Sequence, residues 1–151
     1  MIFTPRKINL FMLFKLPSAF FCGVRVVSIN ETKAVIKVRH RWINQNPFKS
    51  LYWAVQGMAS EFASGILVMQ EIKARDQKIS MLVTHQEGWF TKKATGKILF
   101  VCEDAHLVKQ AINDSISTGE GQTIYMAVEG FNKEGVSVSK FVYEWGIKVK
   151  P

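Results

Sequence analysis

One carboxylate inside an apolar helical pattern is the residue of this chain best suited to do chemistry. Residues 47–74 repeat apolar side chains at steps of three and four, as one face of a helix does. Glu61 is the only charge on that face, whose other members are Ala54, Met58, Gly65, Val68 and Ile72. Burying a carboxylate costs free energy unless it is paired, hydrogen-bonded or protonated. Glu61 is therefore a candidate general base or nucleophile, and a satisfied structural carboxylate is the alternative.

The residues around Glu61 predict a helix that packs tightly against its neighbours. Asn46 is a favourable N-cap and Pro47 suits the first helical position, so we expect a helix from about Pro47 to Ala74. Its middle is rich in small residues: Gly57, Ala59, Ser60, Ala63, Ser64 and Gly65. Each glycine inside a helix costs about 1 kcal/mol relative to alanine. The two glycines indicate close approach of another backbone, as when a curved sheet wraps a helix, and ordinary tight packing explains them equally well.

Several other kinds of site find no support in the sequence. The three histidines, His40, His85 and His106, are scattered without the spacing of metal ligands. The chain has no Gly-x-Ser-x-Gly segment for a serine hydrolase, and no phosphate-binding or dinucleotide-binding glycine motif. We therefore expect neither a metal nor a bound cofactor.

The remaining elements predict one α+β domain over residues 1–151. Asp104–Thr118 carries a second helical pattern that ends before Gly119. Apolar or alternating runs predict six strands: Phe20–Ile29, Thr32–Trp42, Lys78–Gln86, Ala94–Glu103, Thr123–Phe131 and Val136–Val149. One long apolar helix with a mostly antiparallel sheet is typical of the α+β class.

The first residues superficially resemble a signal peptide, because Arg6 and Lys7 precede an apolar run, Ile8–Phe14. Lys15 and Pro17 interrupt that run, and it is too short to span a bilayer. We expect a short amphipathic helix at about residues 5–17 that packs on the domain edge and does not cross a membrane. A helix lying on a membrane surface is the alternative.

Charge and cysteine content limit the partners and the compartment. The net charge of +8 favours anionic partners such as nucleic acid, anionic lipid or a phosphate-bearing coenzyme. Cys22 and Cys102 lie in apolar runs and form no disulfide framework, which favours the reducing cytoplasm.

At this point the chain resembles the hotdog-fold thioesterase superfamily, and it is most similar to the uncharacterised bacterial branch. Many catalytic members of that superfamily carry an asparagine fifteen positions before an acidic residue on the central helix, and Asn46 and Glu61 have that spacing here. The run at residues 89–98, Trp-Phe-Thr-Lys-Lys-Ala-Thr-Gly-Lys-Ile, is also similar to the superfamily's next strand. The resemblance covers about residues 20–149 and implies an antiparallel sheet wrapped around one long central helix.

The resemblance implies hydrolysis of an acyl-CoA or acyl-carrier thioester, with coenzyme A only as part of the substrate. Glu61 would act as base or nucleophile, aided by a hydrogen bond from Ser60, Ser64 or a partner subunit, and Asn46 would orient water or the carbonyl. Backbone N–H groups near Tyr52 and Trp53 would hold the developing oxyanion. The implied substrate-binding residues are Tyr52, Trp53, Gln56, Gly57, Ser60, Lys92, Lys93 and Lys97, the lysines contacting phosphates. The implied assembly is a homodimer or a dimer of dimers, with the groove shared between subunits.

The chain departs from the superfamily at the start of the helix. Tyr52-Trp53-Ala54 stands where many members have His-Gly-Gly, and Lys49 stands where many have glycine. This departure favours an alternative function, a non-catalytic module that binds acyl thioesters or lipids. A third class, nucleic-acid binding, rests on a basic strand face but lacks interleaved aromatic residues, so no nucleic-acid partner is expected. The basic face consists of Lys33, Lys37, Arg39 and Arg41.

Overall fold

The segment predicted as a long helix is a helix of 21 residues in the computed structural model, which describes residues 3–151. The helices are α1 (Pro5–Lys15), α2 (Pro17–Phe21), α3 (Trp53–Lys73) and α4 (Ala105–Thr118). The strands are β1 (Arg25–Ile29), β2 (Ala34–Arg39), β3 (Ile79–Phe90), β4 (Lys97–Cys102), β5 (Gln122–Phe131) and β6 (Ser137–Val149).

The six strands form one antiparallel sheet in the order β1-β2-β4-β5-β6-β3. β3, which follows α3 along the chain, is an edge strand and pairs with β6 from Ile79 opposite Val149 to Phe90 opposite Ser139. α3 packs across the sheet and buries most of its middle, including Ala59, Phe62 and Ile66. The predicted α+β architecture of a sheet around one long helix is confirmed.

Hydrogen bonds from β6 fix how closely the sheet approaches α3. The Tyr143 hydroxyl and the Ser60 hydroxyl lie 2.6 Å apart, and the Trp145 Nε1–H donates to Ser64 Oγ at 3.0 Å. A Cβ atom on Gly65 would lie 3.2 Å from the Trp145 ring, whereas one on Gly57 would meet nothing within 4 Å. The close neighbour at Gly65 is therefore the Trp145 side chain and not another backbone, which fits tight packing, and Gly57 has no close neighbour.

The predicted start of the long helix is wrong. Residues 46–51 form a loop, and α3 begins at Trp53, with Tyr52 in an extended conformation before it. The Asn46 Oδ1 accepts hydrogen bonds from the Phe48 N–H at 2.9 Å and the Ser50 N–H at 3.3 Å, which is a local alternative to helix. Lys49 also has a left-handed φ of 57°, which a right-handed helix cannot contain.

The N-terminal part of the chain differs from the prediction in two ways. The strand predicted from Phe20 begins only at Arg25, because Pro17 opens the short helix α2 and Gly23 turns the chain with a φ of 91°. α1 forms as predicted but ends at Lys15, and its outer face is apolar rather than polar. Among the described residues, no helix combines the length and the hydropathy needed to cross a bilayer.

Candidate active site at the start of the central helix

Six of the predicted site residues line one cavity of about 530 Å³ at the N-terminus of α3. The loop 46–51 and the first turn of α3 form one wall, and residues 90–94, between β3 and β4, form the other. We call it the helix-start cavity. The six residues are Asn46, Tyr52, Trp53, Gln56, Lys92 and Lys93.

The first turn of α3 presents backbone donors at this cavity. Within residues 3–151, the N–H groups of Trp53 and Ala54 have no hydrogen-bond partner, and no side chain caps the helix. The Tyr52 N–H, one of the expected donors, instead donates a hydrogen bond to the Asn44 carbonyl at 3.0 Å. The two free donors lie at the positive end of the helix dipole, where they can stabilise a developing oxyanion.

Gln56 adds a buried polar group to the same cavity. Its side chain is only 4% exposed, and its Oε1 has no hydrogen-bond partner in the described part of the chain. A buried polar atom without a partner costs about 1–3 kcal/mol. A ligand that donates a hydrogen bond to Gln56 would remove that penalty.

Asn46 lines the wall of the cavity, but its side chain forms its hydrogen bonds within the loop. Its Nδ2 donates to Ser50 Oγ at 2.9 Å and to the Leu51 carbonyl at 3.3 Å, while its Oδ1 accepts from the loop backbone. Its amide therefore holds the wall in shape. Asn44, which the sequence did not single out, anchors the loop in the same way by donating to the Cys22 and Arg39 carbonyls at 2.8 and 2.9 Å.

The basic residues are only partly gathered at the site. Lys92 and Lys93 are exposed at the cavity, and the Lys93 Nζ lies 3.4 Å from the Phe48 carbonyl across it. Lys97 begins β4 opposite Arg39 and is not among the residues that line the cavity.

A half-open strip of α3 leads from the helix-start cavity to Glu61. Ala54, Gly57, Met58 and Glu61 are each half-buried, whereas Val55, Ala59 and the other inward-facing residues are buried. Their steps of three and four place the four residues on one helix face. The predicted helix face that carries Glu61 is therefore open in its first half and buried at Gly65 and Val68.

The Glu61 side chain lies in a second cavity, of about 260 Å³, between α3 and the α1–α2 corner. Lys15, Leu16 and Phe62 are among its lining residues. Burial raises the pKa of the Glu61 carboxyl. No hydrogen bond or ion pair reaches this carboxylate from the residues that the structure describes.

The hydrogen bonds expected from Ser60 and Ser64 to the Glu61 carboxylate are absent from the described chain. Ser60 is fully buried and bonds to Tyr143, while the Ser64 hydroxyl donates to the backbone carbonyl of Glu61 at 2.9 Å. Gly57 lies on the half-open strip, and its carbonyl accepts a hydrogen bond from the Tyr143 hydroxyl at 3.1 Å. Of the predicted residues around Glu61, only Gly57 thus borders an accessible surface.

Two ends of the strip carry different chemistry. The Ala54 N–H and the Glu61 carboxylate belong to residues seven positions apart, which corresponds to about 10 Å along a helix. One end offers hydrogen-bond donors for an anionic oxygen, and the other offers a carboxylate with a raised pKa. A single carbonyl carbon cannot contact both ends of one strip.

Comparison with solved structures confirms the hotdog fold. A Pseudomonas aeruginosa protein of unknown function, named a probable thioesterase, superposes with a TM-score of 0.82 at 15% identity, covering 97% of each chain. A Chlorobaculum tepidum protein of unknown function superposes with a TM-score of 0.82 at 16% identity, and the match covers 97% of this chain and 94% of the other. A Haemophilus influenzae thioesterase superposes with a TM-score of 0.73 at 11% identity, and the match covers 99% of this chain and 93% of the other.

No functionally curated protein matches the sequence. A family model does match residues 5–147, and it carries the description "Domain of unknown function (DUF4442)". The match spans nearly the whole chain, including the helix-start cavity, the half-open strip and Glu61. The chain therefore belongs to the DUF4442 family, and it has the hotdog fold of thioesterases.

Proposed function

We propose that this protein hydrolyses acyl thioesters carried on coenzyme A or on an acyl carrier, with Glu61 as the base. One observation carries the proposal: the free N–H groups of Trp53 and Ala54 begin α3 at a cavity that Trp53 and Gln56 line, and the Gln56 Oε1 has no hydrogen-bond partner among the described residues. Donors of this kind suit the oxygen of a thioester carbonyl as it becomes an oxyanion, and removing one typically costs about 100- to 1000-fold in rate.

The chemistry needs no group beyond the chain and water. Glu61 takes a proton from water, and the hydroxide oxygen forms a bond to the thioester carbonyl carbon. The carbonyl oxygen gains negative charge facing the Trp53 and Ala54 N–H groups. When the intermediate collapses, the carbon–sulfur bond breaks and the thiolate takes up the proton that Glu61 holds, which regenerates the carboxylate. Direct attack by the Glu61 carboxylate, followed by hydrolysis of the anhydride, is the other route open to this residue.

The helix-start cavity suits the arm that carries the acyl group. The amide N–H groups of the pantetheine arm, common to coenzyme A and acyl carriers, can donate to Gln56 Oε1. The rings of Tyr52 and Trp53 pack edge to face with their centroids 5.9 Å apart and form an aromatic wall. Lys92 and Lys93 lie at the mouth of the cavity, where they would attract phosphates. Trp53 is 53% exposed, so its ring borders the cavity without filling the core.

We further propose that the working unit is a homodimer or a dimer of dimers. Since about 10 Å separates the donors from Glu61 on one helix, the acid that completes each site would come from a second copy. β3 offers the means, because its outer edge is unpaired in the chain as described and Leu82 and Trp89 on it are 66% and 49% exposed. Both cysteines are free, in keeping with the cytoplasmic location that we propose.

Thiol release from acyl-CoAs of varied chain length tests the proposal, with Glu61→Gln compared against Glu120→Gln, an exposed acid beyond α4. We expect turnover by the wild type and the control, and a loss of at least about 100-fold in Glu61→Gln with unchanged circular dichroism. Turnover that survives unchanged in Glu61→Gln would exclude Glu61 as the base.

A non-catalytic acyl-thioester or lipid-binding module is the second candidate. The bulky Tyr52-Trp53-Ala54 start and the absence of a bond to the Glu61 carboxylate within residues 3–151 favour it. Under this function, a non-hydrolysable acyl-CoA analogue would bind, and Gln56→Leu would weaken that binding, while no thioester or acyl-carrier substrate is turned over.

A further inference from the structure

The outer face of α1 is apolar even though the inner face already anchors the helix. Ile8 and Met12 are buried, and Asn9 joins α1 to β1 through two hydrogen bonds with the backbone of Val26, at 2.8 and 3.1 Å. On the outer face, Leu10 and Phe14 are 59% and 73% exposed. Because α1 is held without them, packing within this chain does not account for these side chains.

The exposed side chains border an open groove between α1 and α3. The groove has a volume of about 490 Å³, and its surface is almost entirely apolar. Three lysines, one at each end of α1 and one at the end of α3, surround it. We call this surface the α1 patch, and it consists of Lys7, Leu10, Phe11, Phe14, Lys15 and Lys73.

The charge around the α1 patch is mainly positive, and the nearest exposed acid, Glu31, lies 4.0 Å from the Lys109 Nζ. The first thirty residues of the chain contain no aspartate or glutamate, and Arg6 adds a further exposed cation beside Lys7. The acids of α3 are Glu61, which is half-buried, and Glu71, whose carboxylate pairs with Arg75 at 2.6 Å. A second copy placed on this patch about a two-fold axis would oppose like charges, whereas an anionic surface would be complementary.

We propose that the α1 patch docks on the surface of a bilayer that contains anionic phospholipids. Leu10, Phe11 and Phe14 would lie among the acyl chains just below the headgroups, and the lysine stems would extend so that their ammonium groups meet the phosphates. α1 has 11 residues, so it lies in the plane of the surface and does not cross it. This docking is separate from the thioesterase chemistry and does not require it.

Sedimentation of the full chain with phosphatidylglycerol vesicles and with phosphatidylcholine vesicles tests the docking. We expect binding to the anionic vesicles and weaker binding to the zwitterionic ones. A lysine near an anionic surface strengthens binding by roughly fivefold, so Lys7→Gln/Lys15→Gln should weaken it by about 25-fold. Leu10→Ser/Phe14→Ser should abolish it, and Trp42→Ser, which removes an 84% exposed aromatic side chain elsewhere, should leave it unchanged.

Three results would overturn the docking. One is an absence of binding to either vesicle, and another is binding that the patch variants leave unchanged. The third is a lower molar mass in solution for Leu10→Ser/Phe14→Ser than for the wild type, because the patch would then be covered by a second copy. Circular dichroism of each variant, which changes exposed residues only, separates these results from a loss of folding.

Discussion

Glu61 is held in conditions that favour its uncharged form, and this has a consequence for stability. Its folded-state pKa lies above the ordinary value of 4.5 because burial penalises the carboxylate. Between the unfolded and folded pKa values the folded protein binds more protons, so the free energy of unfolding falls as pH rises through that window. We expect Glu61→Gln to be more stable than the wild type at about pH 7 and equal to it below about pH 4.

Urea unfolding at both pH values measures this difference. Glu120→Gln is the control, because the Glu120 carboxylate is exposed and its removal should leave the free energy of unfolding unchanged at both pH values. A Glu61→Gln variant that is no more stable than the wild type at neutral pH would show that an unseen partner stabilises the charged carboxylate.

At the scale of single residues, the sequence could identify Glu61 but not its surroundings. Helical periodicity shows an acid among apolar residues, which is a local property of the chain. The partners of Ser60 and Ser64 are Tyr143 and Trp145, which lie some eighty positions away and depend on the register of β6 on the sheet. Gln56 was expected to line the acyl pocket, and only the three-dimensional packing shows that its Oε1 is buried and unpartnered.

At the scale of elements, long periodic segments were predictable and the segments between them were not. The length and apolar content of α3 determine its existence, but its start depends on how the Asn46 amide is used. In the loop that amide bonds to the Phe48 and Ser50 backbone, so a residue typical of an N-cap instead closes a turn seven positions before the helix begins. The same applies to α2, because a strand was predicted from Phe20, whereas Phe20 and Phe21 end a short helix that begins at Pro17.

The two glycines of α3 provide a test of how the sheet packs on it. Gly57→Ala meets open space, so we expect it to stabilise the protein by about 0.5–1 kcal/mol through helix propensity. Gly65→Ala would place a methyl group 3.2 Å from the buried Trp145 ring, which is itself held by Ser64. We expect Gly65→Ala to lower the free energy of unfolding by about 1 kcal/mol or more. Thermal and urea unfolding measure both, and equal effects of the two substitutions would contradict this packing.

At the scale of the whole molecule, the proposed dimer would link the strip on α3 to the edge of β3. Under the proposed function, donors and acid about 10 Å apart along one helix would need a second chain to complete the site. β3 has 12 residues, exposed apolar side chains and one edge without a pairing strand in residues 3–151, so it is the edge through which we propose that two chains join their sheets. The sequence could suggest this assembly only through resemblance, because no local pattern shows which strand lies at an edge.

Mixing two variants that should each be inactive under the proposed function tests whether the acid acts across a subunit interface. Glu61→Gln lacks the base, and Gln56→Leu lacks the amide at the helix-start cavity while replacing a buried unpartnered group with an apolar one. If the base acts in trans, each mixed dimer has one complete site and one site that lacks both groups. Random mixing by co-expression would then restore about a quarter of the wild-type activity, since half of the dimers are mixed.

A base acting within its own chain gives a different result, because every site in the mixture then lacks one group. Activity would stay at the level of the two separate variants, whatever their ratio. Mixing Glu61→Gln with itself under two different tags controls for gains from co-expression alone. Recovery that reaches its maximum at equal amounts of the two variants would therefore establish both the dimer and the shared site, because neither a monomer nor a site confined to one chain can produce it.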